Sequence, residues 1–230
     1  MKYQIIGEGL SAKGASQLIE KMGDVVVSEG GDIVVISPGY PLTHPVAVEG
    51  RRLGAEIIGE MELGMRYVQN RCLAITGTNG KTTVTLLVEH ILTCAGKKAK
   101  ALGNVGVPLI SAVDTLAPDE IAVIELSSYQ LEGLSGSLLE ASVLLNITPD
   151  HLDRYDTMTQ YAAAKVKILE ITKSSSQAYV DEETFFAFPE LFYGRSCTCI
   201  KSSLKYLPAG MPHDIKNYLA ASALASSMGV

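Results

Sequence analysis

The stretch AITGTNGKTTVTLL, Ala74 to Leu87, decides how the chain is read. An apolar run, CLAIT, enters a turn containing Gly77 and Gly80 and leaves it through Lys81-Thr82-Thr83 into a helical segment ending at Gly96. A turn of this kind after a buried strand aims several backbone N–H groups at one point, where the helix dipole also favours negative charge. A triphosphate needs that arrangement: Lys81 reaches the outer phosphates and the Thr82 hydroxyl serves a Mg²⁺ ion. The spacing is unusual, because only Thr78 and Asn79 separate the two glycines, and Ile75 occupies the place of the first glycine of the common P-loop. On the residues alone, a plain helix-entry turn with Lys81 in solvent stays open beside the ATP site.

Working outward, IAVIE and ASVLLNIT are further continuous Val/Ile/Leu runs, and YAAAKVKILEI and HDIKNYLAASALASS read as helices. Apolar strands separated by helices predict a mostly parallel sheet covered on both faces. Upstream, KYQIIG, VVVS and DIVVIS alternate with helical segments, which predicts a small Rossmann-like α/β domain over 1–68 before a P-loop domain over 69–230. Only a few residues separate VVVS from DIVVIS.

A formal charge of −6 excludes a general nucleic-acid binder, which needs a surplus of Lys and Arg. No apolar run reaches the length of a membrane span, and MKYQIIGEGL begins like a strand, so the chain reads as cytoplasmic. Cys197 and Cys199 form a C-x-C pair with no second pair to complete a zinc site, and the cysteines read as structural or incidental.

GTNGKTT resembles the phosphate loop of the Mur ligases and the related folylpolyglutamate synthases, which join an amino acid to a carboxylate using ATP. Three later segments are similar to the Mur pattern: GNVGVPL with Asn104, IELSSYQLE with Glu125, Ser127 and Gln130, and LLNITPDHLDRYDTMTQYAAAKVKILE with Asn146, Asp150, His151 and Lys165. ELSSYQLE resembles the D-glutamate-adding branch of the family most. The resemblance implies ATP held by Gly77 to Thr83 and by Asn217, and two Mg²⁺ ions served by Thr82, Glu125, His151 and Lys165, the last as a carbamate. Lys81, Glu125, His151 and Lys165 are the implied catalytic residues. Carbamylation requires a neutral amine and hence a depressed lysine pKa, whereas the nearby Lys167 reads as an ordinary solvated lysine.

IIGEGLSAKG resembles the entry loop that holds the uridine diphosphate of the substrate, with Leu10 and Ser11 at the contacts. NAD is disfavoured, since the G-x-G-x-x-G pattern would put glycine where Ala12 stands. The implied partners are UDP-N-acetylmuramoyl-L-alanine, met also by Asn104, Ser127 and Gln130, and D-glutamate, with the protein acting as a monomer. Against the family's H-N-x-x-N, this chain reads His213-Asp214-Ile215-Lys216-Asn217, so Asp214 is a departure beside the nucleotide. The resemblance covers the first two of three family domains, and the chain is expected to be a truncated form. Another Mur ligase, a folylpolyglutamate synthase and a nucleotide-binding module without turnover are the alternatives.

Overall fold

The computed structural model describes all residues except Leu42, Val105, 151–153, 175–176, 202–211 and the side chain of Pro212. The chain forms two compact units, residues 1–69 with 106–117, and residues 70–105 with 118–230. The first opens with β1 (Lys2–Ile6), α1 (Gly9–Lys21), β2 (Val25–Val27), β3 (Ile33–Ile36), α2 (Pro45–Arg52), β4 (Glu56–Gly59) and α3 (Glu60–Tyr67). There follow β5 (Cys72–Thr76), α4 (Lys81–Cys94), β6 (Ala99–Gly103), α5 (Leu109–Ala112), β7 (Ile121–Glu125) and α6 (Ser128–Glu132). The chain continues through β8 (Ala141–Leu144), α7 (Met158–Glu170), β9 (Ala178–Asp181), α8 (Glu182–Ala187), β10 (Thr198–Ile200) and α9 (Pro212–Ser227). Among the described residues no helix is long and apolar enough to cross a membrane.

Both sheets are parallel, as the continuous apolar strands predict. The first has the order β2-β1-β3-β4 and the second β10-β9-β8-β5-β7-β6. In the second, β5 pairs with β8 on one side and β7 on the other, so the turn after β5 opens where ligands gather in open α/β sheets. Beneath it, Leu73, Ile75, Val84, Val88 and Leu92 pack with Val143 and, from α9, with Ala221 and Leu224.

Two connections in the first unit depart from the usual α/β pattern. Residues 28–32 carry the chain from β2 to the parallel β3 without a helix, where a crossover of a dozen or more residues is usual. The crossing runs tight against β1: a Cβ on Gly31 would lie 2.6 Å from the Gln4 nitrogen, and Gln4 Nε2 donates to the Ser28 carbonyl at 2.9 Å. The second departure is the segment 106–117, which leaves β6 and packs with the first unit although it lies inside the 69–230 span. Two small residues admit it: a Cβ on Gly14 of α1 would meet Ser111 Oγ at 2.3 Å, and one on Gly64 of α3 would meet the Ile110 nitrogen at 3.4 Å. Ile110 then completes the cluster of Tyr3, Ala15, Leu18, Ile19 and Leu63.

At the start of α3, Glu60 is buried, and its Oε1 has no hydrogen-bond partner among the described residues. Burial pushes its pKa up to about 7.

Because Ile110 fills the first unit's core from a remote part of the chain, Ile110→Ala should destabilise that unit by about 2–5 kcal/mol. Amide exchange should quicken at Tyr3 and Ile33 and stay unchanged at Leu73 and Ile75. Equal acceleration in both sheets would show that the segment does not belong to the first core.

Candidate nucleotide site

The site begins with two glycines that only backbone can replace. Gly77 has φ +155°, and a Cβ there would lie 2.7 Å from that of Leu145; Gly80 has φ +85°, and its Cβ would meet Asn217 Oδ1 at 2.5 Å. Gly80 is the N-cap of α4, so the helix starts at Lys81 with no side-chain cap and its first N–H groups turned to the loop.

Asn146, after β8, braces the loop. Its carbonyl accepts from Thr78 N at 2.8 Å, its Oδ1 accepts from Asn79 N at 2.9 Å, and its Nδ2 donates to Asn79 O at 2.9 Å. Lys81 Nζ donates to Thr78 O at 2.8 Å, so the lysine folds over the loop rather than extending into solvent.

Glu125 ends β7 and is 2% exposed. Its Oε2 accepts from Thr82 Oγ1 at 2.7 Å and its Oε1 from Asn104 Nδ2 at 2.9 Å, while Asn104 N donates to the Glu125 carbonyl at 3.0 Å. Thr82 and Glu125 therefore offer two oxygens of the kind a hard cation takes. Mg²⁺ holds oxygens octahedrally at about 2.0–2.1 Å, which puts neighbouring ligands about 2.9 Å apart, close to the 2.7 Å observed here. Among the described residues there is no group of three or more His, Cys, Asp or Glu side chains suited to a metal. Mg²⁺ commonly takes one or two carboxylates and completes its shell with phosphates and water, so the Thr82–Glu125 pair fits such an ion.

Lys165, on α7, is 2% exposed; its Nζ donates to Gly77 O at 2.9 Å and lies 4.7 Å from the centroid of the Tyr161 ring. Burial, and then the charge of Lys81, lowers its pKa to about 7, with Asp150 opposing. Lys167 differs from its reading as a solvated lysine: it is half-buried and donates to Glu132 O at 2.6 Å, capping a carbonyl at the end of α6.

The other expected site residues are distributed as follows. Ser127 and Gln130 form a capping box at the start of α6, in which Ser127 Oγ accepts from Gln130 N at 3.3 Å and Gln130 Oε1 accepts from Ser127 N at 2.9 Å. Thr83 is exposed in the first turn of α4. Asn217 lies on α9 against Gly80, beside a small cavity lined by Asn146, Asp181 and Lys216. Lys216 Nζ lies 2.7 Å from Glu183 and 3.6 Å from Asp181, while Asp214 is exposed 3.4 Å from His213 Nε2. His151 lies outside the described residues. In the first unit, the turn after β1 brings Ser11 Oγ to 3.5 Å from Ser37 Oγ, and Leu10 is 70% exposed.

Sequence reading placed Thr78 in the phosphate loop but missed its partner Tyr161. Thr78 Oγ1 lies 3.2 Å from Tyr161 OH and bonds both the carbonyl and the amide of Thr148, at 3.2 and 3.1 Å. The available signal was an aromatic residue one helical turn before Lys165, on the same face of the helix.

A braced glycine turn at the carboxyl end of a central parallel strand, with a lysine, a threonine and a buried acid around it, defines a P-loop nucleotide-binding protein. The model of the Mur ligase middle domain matches residues 75–206, and the chain belongs to the Mur ligase family. It is 40% identical over 244 residues to a UDP-N-acetylmuramoylalanine–D-glutamate ligase of Protochlamydia amoebophila, covering 97% of this chain and 55% of that one. To the ligase of the same name from Koribacter versatilis it is 47% identical over 139 residues, covering 60% of this chain and 31% of the other. The chain thus spans about half, or less, of the length of these curated relatives. A solved structure of UDP-N-acetylmuramate:L-alanyl-gamma-D-glutamyl-meso-diaminopimelate ligase from Neisseria meningitides shares the fold, with a TM-score of 0.64 at 17% identity, covering 100% of this chain and 94% of that one.

The lowered Lys165 pKa makes stability depend on pH. The folded chain releases this proton near pH 7, the unfolded chain near 10.5. Between these values the unfolded state binds the extra proton, so stability should rise with pH across the window. Lys165→Met should remove that rise, read as urea midpoints at the two ends of the window. An unaltered slope in the variant would assign the rise to another group.

Proposed function

We propose that the protein is an ATP-dependent ligase that joins D-glutamate to UDP-N-acetylmuramoyl-L-alanine in peptidoglycan precursor synthesis, acting in the cytoplasm as a monomer. The observation that carries this reading is the convergence of the glycine turn, the Thr82–Glu125 oxygen pair and the buried Lys165 at the end of one parallel sheet. The ligase relatives narrow the chemistry from phosphoryl transfer in general to amide formation.

In the proposed reaction a carboxylate oxygen of the substrate's alanine attacks the γ-phosphorus of ATP and ADP leaves. The amine of D-glutamate then attacks the acyl carbon, its C–O bond to phosphate breaks, and the nitrogen loses a proton. The first step turns a poor electrophile into a reactive one. In the loop from Gly77 to Thr83, whose Thr78 and Asn79 amides are held by Asn146, the backbone N–H groups from Gly80 to Thr83 and the Lys81 ammonium hold the phosphates, and Asn217 bounds the nucleotide on the α9 side. Mg²⁺, when bound, neutralises charge on the transferring phosphoryl oxygens. Thr82 and Glu125 would hold one ion, and His151 with Lys165 a second. Neutral Lys165 would add to CO₂ and lose a proton, giving an anionic carbamate oxygen. Asn104, Ser127 and Gln130 meet the UDP-linked substrate in the second unit, and Leu10 and Ser11 meet its uridine diphosphate in the first.

Because the chain spans about half the length of its relatives, binding and ligation are measured separately. Calorimetric titration with UDP-N-acetylmuramoyl-L-alanine should show one saturable site, weakened by Ser11→Ala. No binding would overturn the reading of the first unit. Ligation is followed by chromatography of the product formed with ATP, Mg²⁺ and D-glutamate in the protein that carries this chain, and no D-glutamate-dependent product there would overturn the proposed activity. In that protein Lys81→Ala should lower turnover by at least about 10²-fold with an unchanged circular dichroism spectrum. Loss of the spectrum would make Lys81 a structural lysine.

A further inference from the structure

The phosphate loop is contacted from one side by a network that no family feature above accounts for. It starts at Glu132, the last residue of α6, seven positions after Glu125. The Glu132 carboxylate accepts from Tyr155 OH at 2.7 Å and from Arg154 Nη2 at 2.8 Å, one oxygen for each donor. Both partners are built into rings. The Arg154 guanidinium lies 4.0 Å from the centroid of Tyr129, Tyr129 stacks with Tyr155 at 6.0 Å, and Tyr155 meets Tyr161 at 5.3 Å. Tyr161 in turn reaches the loop twice: its hydroxyl lies 3.2 Å from Thr78 Oγ1, and its ring face lies under Lys165 Nζ, which holds Gly77 O.

The contacts form one continuous path from a half-buried carboxylate to two loop residues. Arg154 and Glu132 have side chains about one-quarter exposed (24% and 26%), so the pair is screened less than a surface pair. Without the carboxylate, the Tyr155 hydroxyl and the guanidinium lose a shared acceptor, and the tilt of the Tyr155 ring against Tyr161 is left to ring packing and the Ser128 contact.

We propose that Glu132 is a positioning residue for nucleotide binding: by anchoring Arg154 and Tyr155 it sets the Tyr161 ring, and through it the Thr78 hydroxyl and the Lys165 amine against the phosphate loop. It touches no reacting atom. The inference rests on the reading of this loop as a phosphate site, and it adds a determinant outside the loop motif.

The test uses two readouts on the chain itself. Fluorescence titration with a labelled ADP and Mg²⁺ should show about three- to ten-fold weaker binding for Glu132→Ala. Glu132→Gln keeps an oxygen acceptor for Tyr155 and should recover most of that loss. Glu132→Ala combined with Tyr161→Leu, which removes both the hydroxyl and the ring, should bind no more weakly than the worse single variant, since Glu132 acts through that side chain. Unchanged affinity in Glu132→Ala, or losses that simply multiply in the double variant, would overturn the proposal. If the unsubstituted chain binds no labelled ADP, the phosphate-site reading fails, and amide exchange then decides whether the network acts on the loop. Exchange at Thr78 and Asn79 should quicken in Glu132→Ala relative to that at Leu73, and to a smaller extent in Glu132→Gln should the alanine variant not fold; unchanged exchange at the two loop amides would overturn the positioning role.

Discussion

A Cβ at residue 77 would lie 2.7 Å from that of Leu145, so the turn after β5 and the end of β8 meet with no side chain between them. That approach is possible because β5 and β8 are direct neighbours in register, Thr76 opposite Leu144. Once the backbones are that close, Asn146 can bond Asn79 through both ends of its amide while its carbonyl takes Thr78 N. The loop is then held open toward the helix, and Gly80 turns it into α4 with Asn217 pressed on the outer side. A methyl group at either glycine would push the loop from Leu145 or from α9. The position of each charged group in the site therefore depends on two absent side chains.

Much of this was legible because it is local. Continuous apolar runs such as CLAIT and IAVIE are the usual pattern of parallel strands buried on both faces, and the glycine turn announced itself between a strand and a helix. The Thr82–Glu125 contact was partly legible as well, since a residue at the carboxyl end of a parallel strand faces the same crevice as the loop. The segment 106–117 was not legible. Its apolar residues fit a helix in either unit, and only the small residues Gly14 and Gly64, far away in sequence, decide which. The capping box of Ser127 and Gln130 was hidden by the opposite problem: the residues drew attention for their polarity, while the local backbone already uses that polarity. Lys167 and Glu132 became partners for a further reason, because α6 and α7 pack together and a lysine on the contact face finds an orphan carbonyl. Periodicity cannot reveal which helix end lies across from a given side chain.

Charge at the loop is arranged by the same close packing. Lys81 and Lys165 both donate to carbonyls of the turn, Thr78 O and Gly77 O, so two amines bond adjacent residues of the turn before any phosphate is present. Burial, with the charge of Lys81, draws Lys165 toward its neutral form, whereas Lys81 is only partly buried. The two lysines therefore differ in burial although both bond the turn. Lys81 lies at the N-terminus of α4, where the helix dipole favours an anion. Lys165, drawn toward its neutral form and fixed over the Tyr161 ring, donates a hydrogen bond to Gly77 O. On the opposite side of the loop, Glu125 keeps both carboxylate oxygens satisfied by Thr82 and Asn104, as a buried acid requires. A cation entering beside Oε2 would replace the Thr82 hydrogen and leave the Asn104 bond in place, so the carboxylate need not move to accept it.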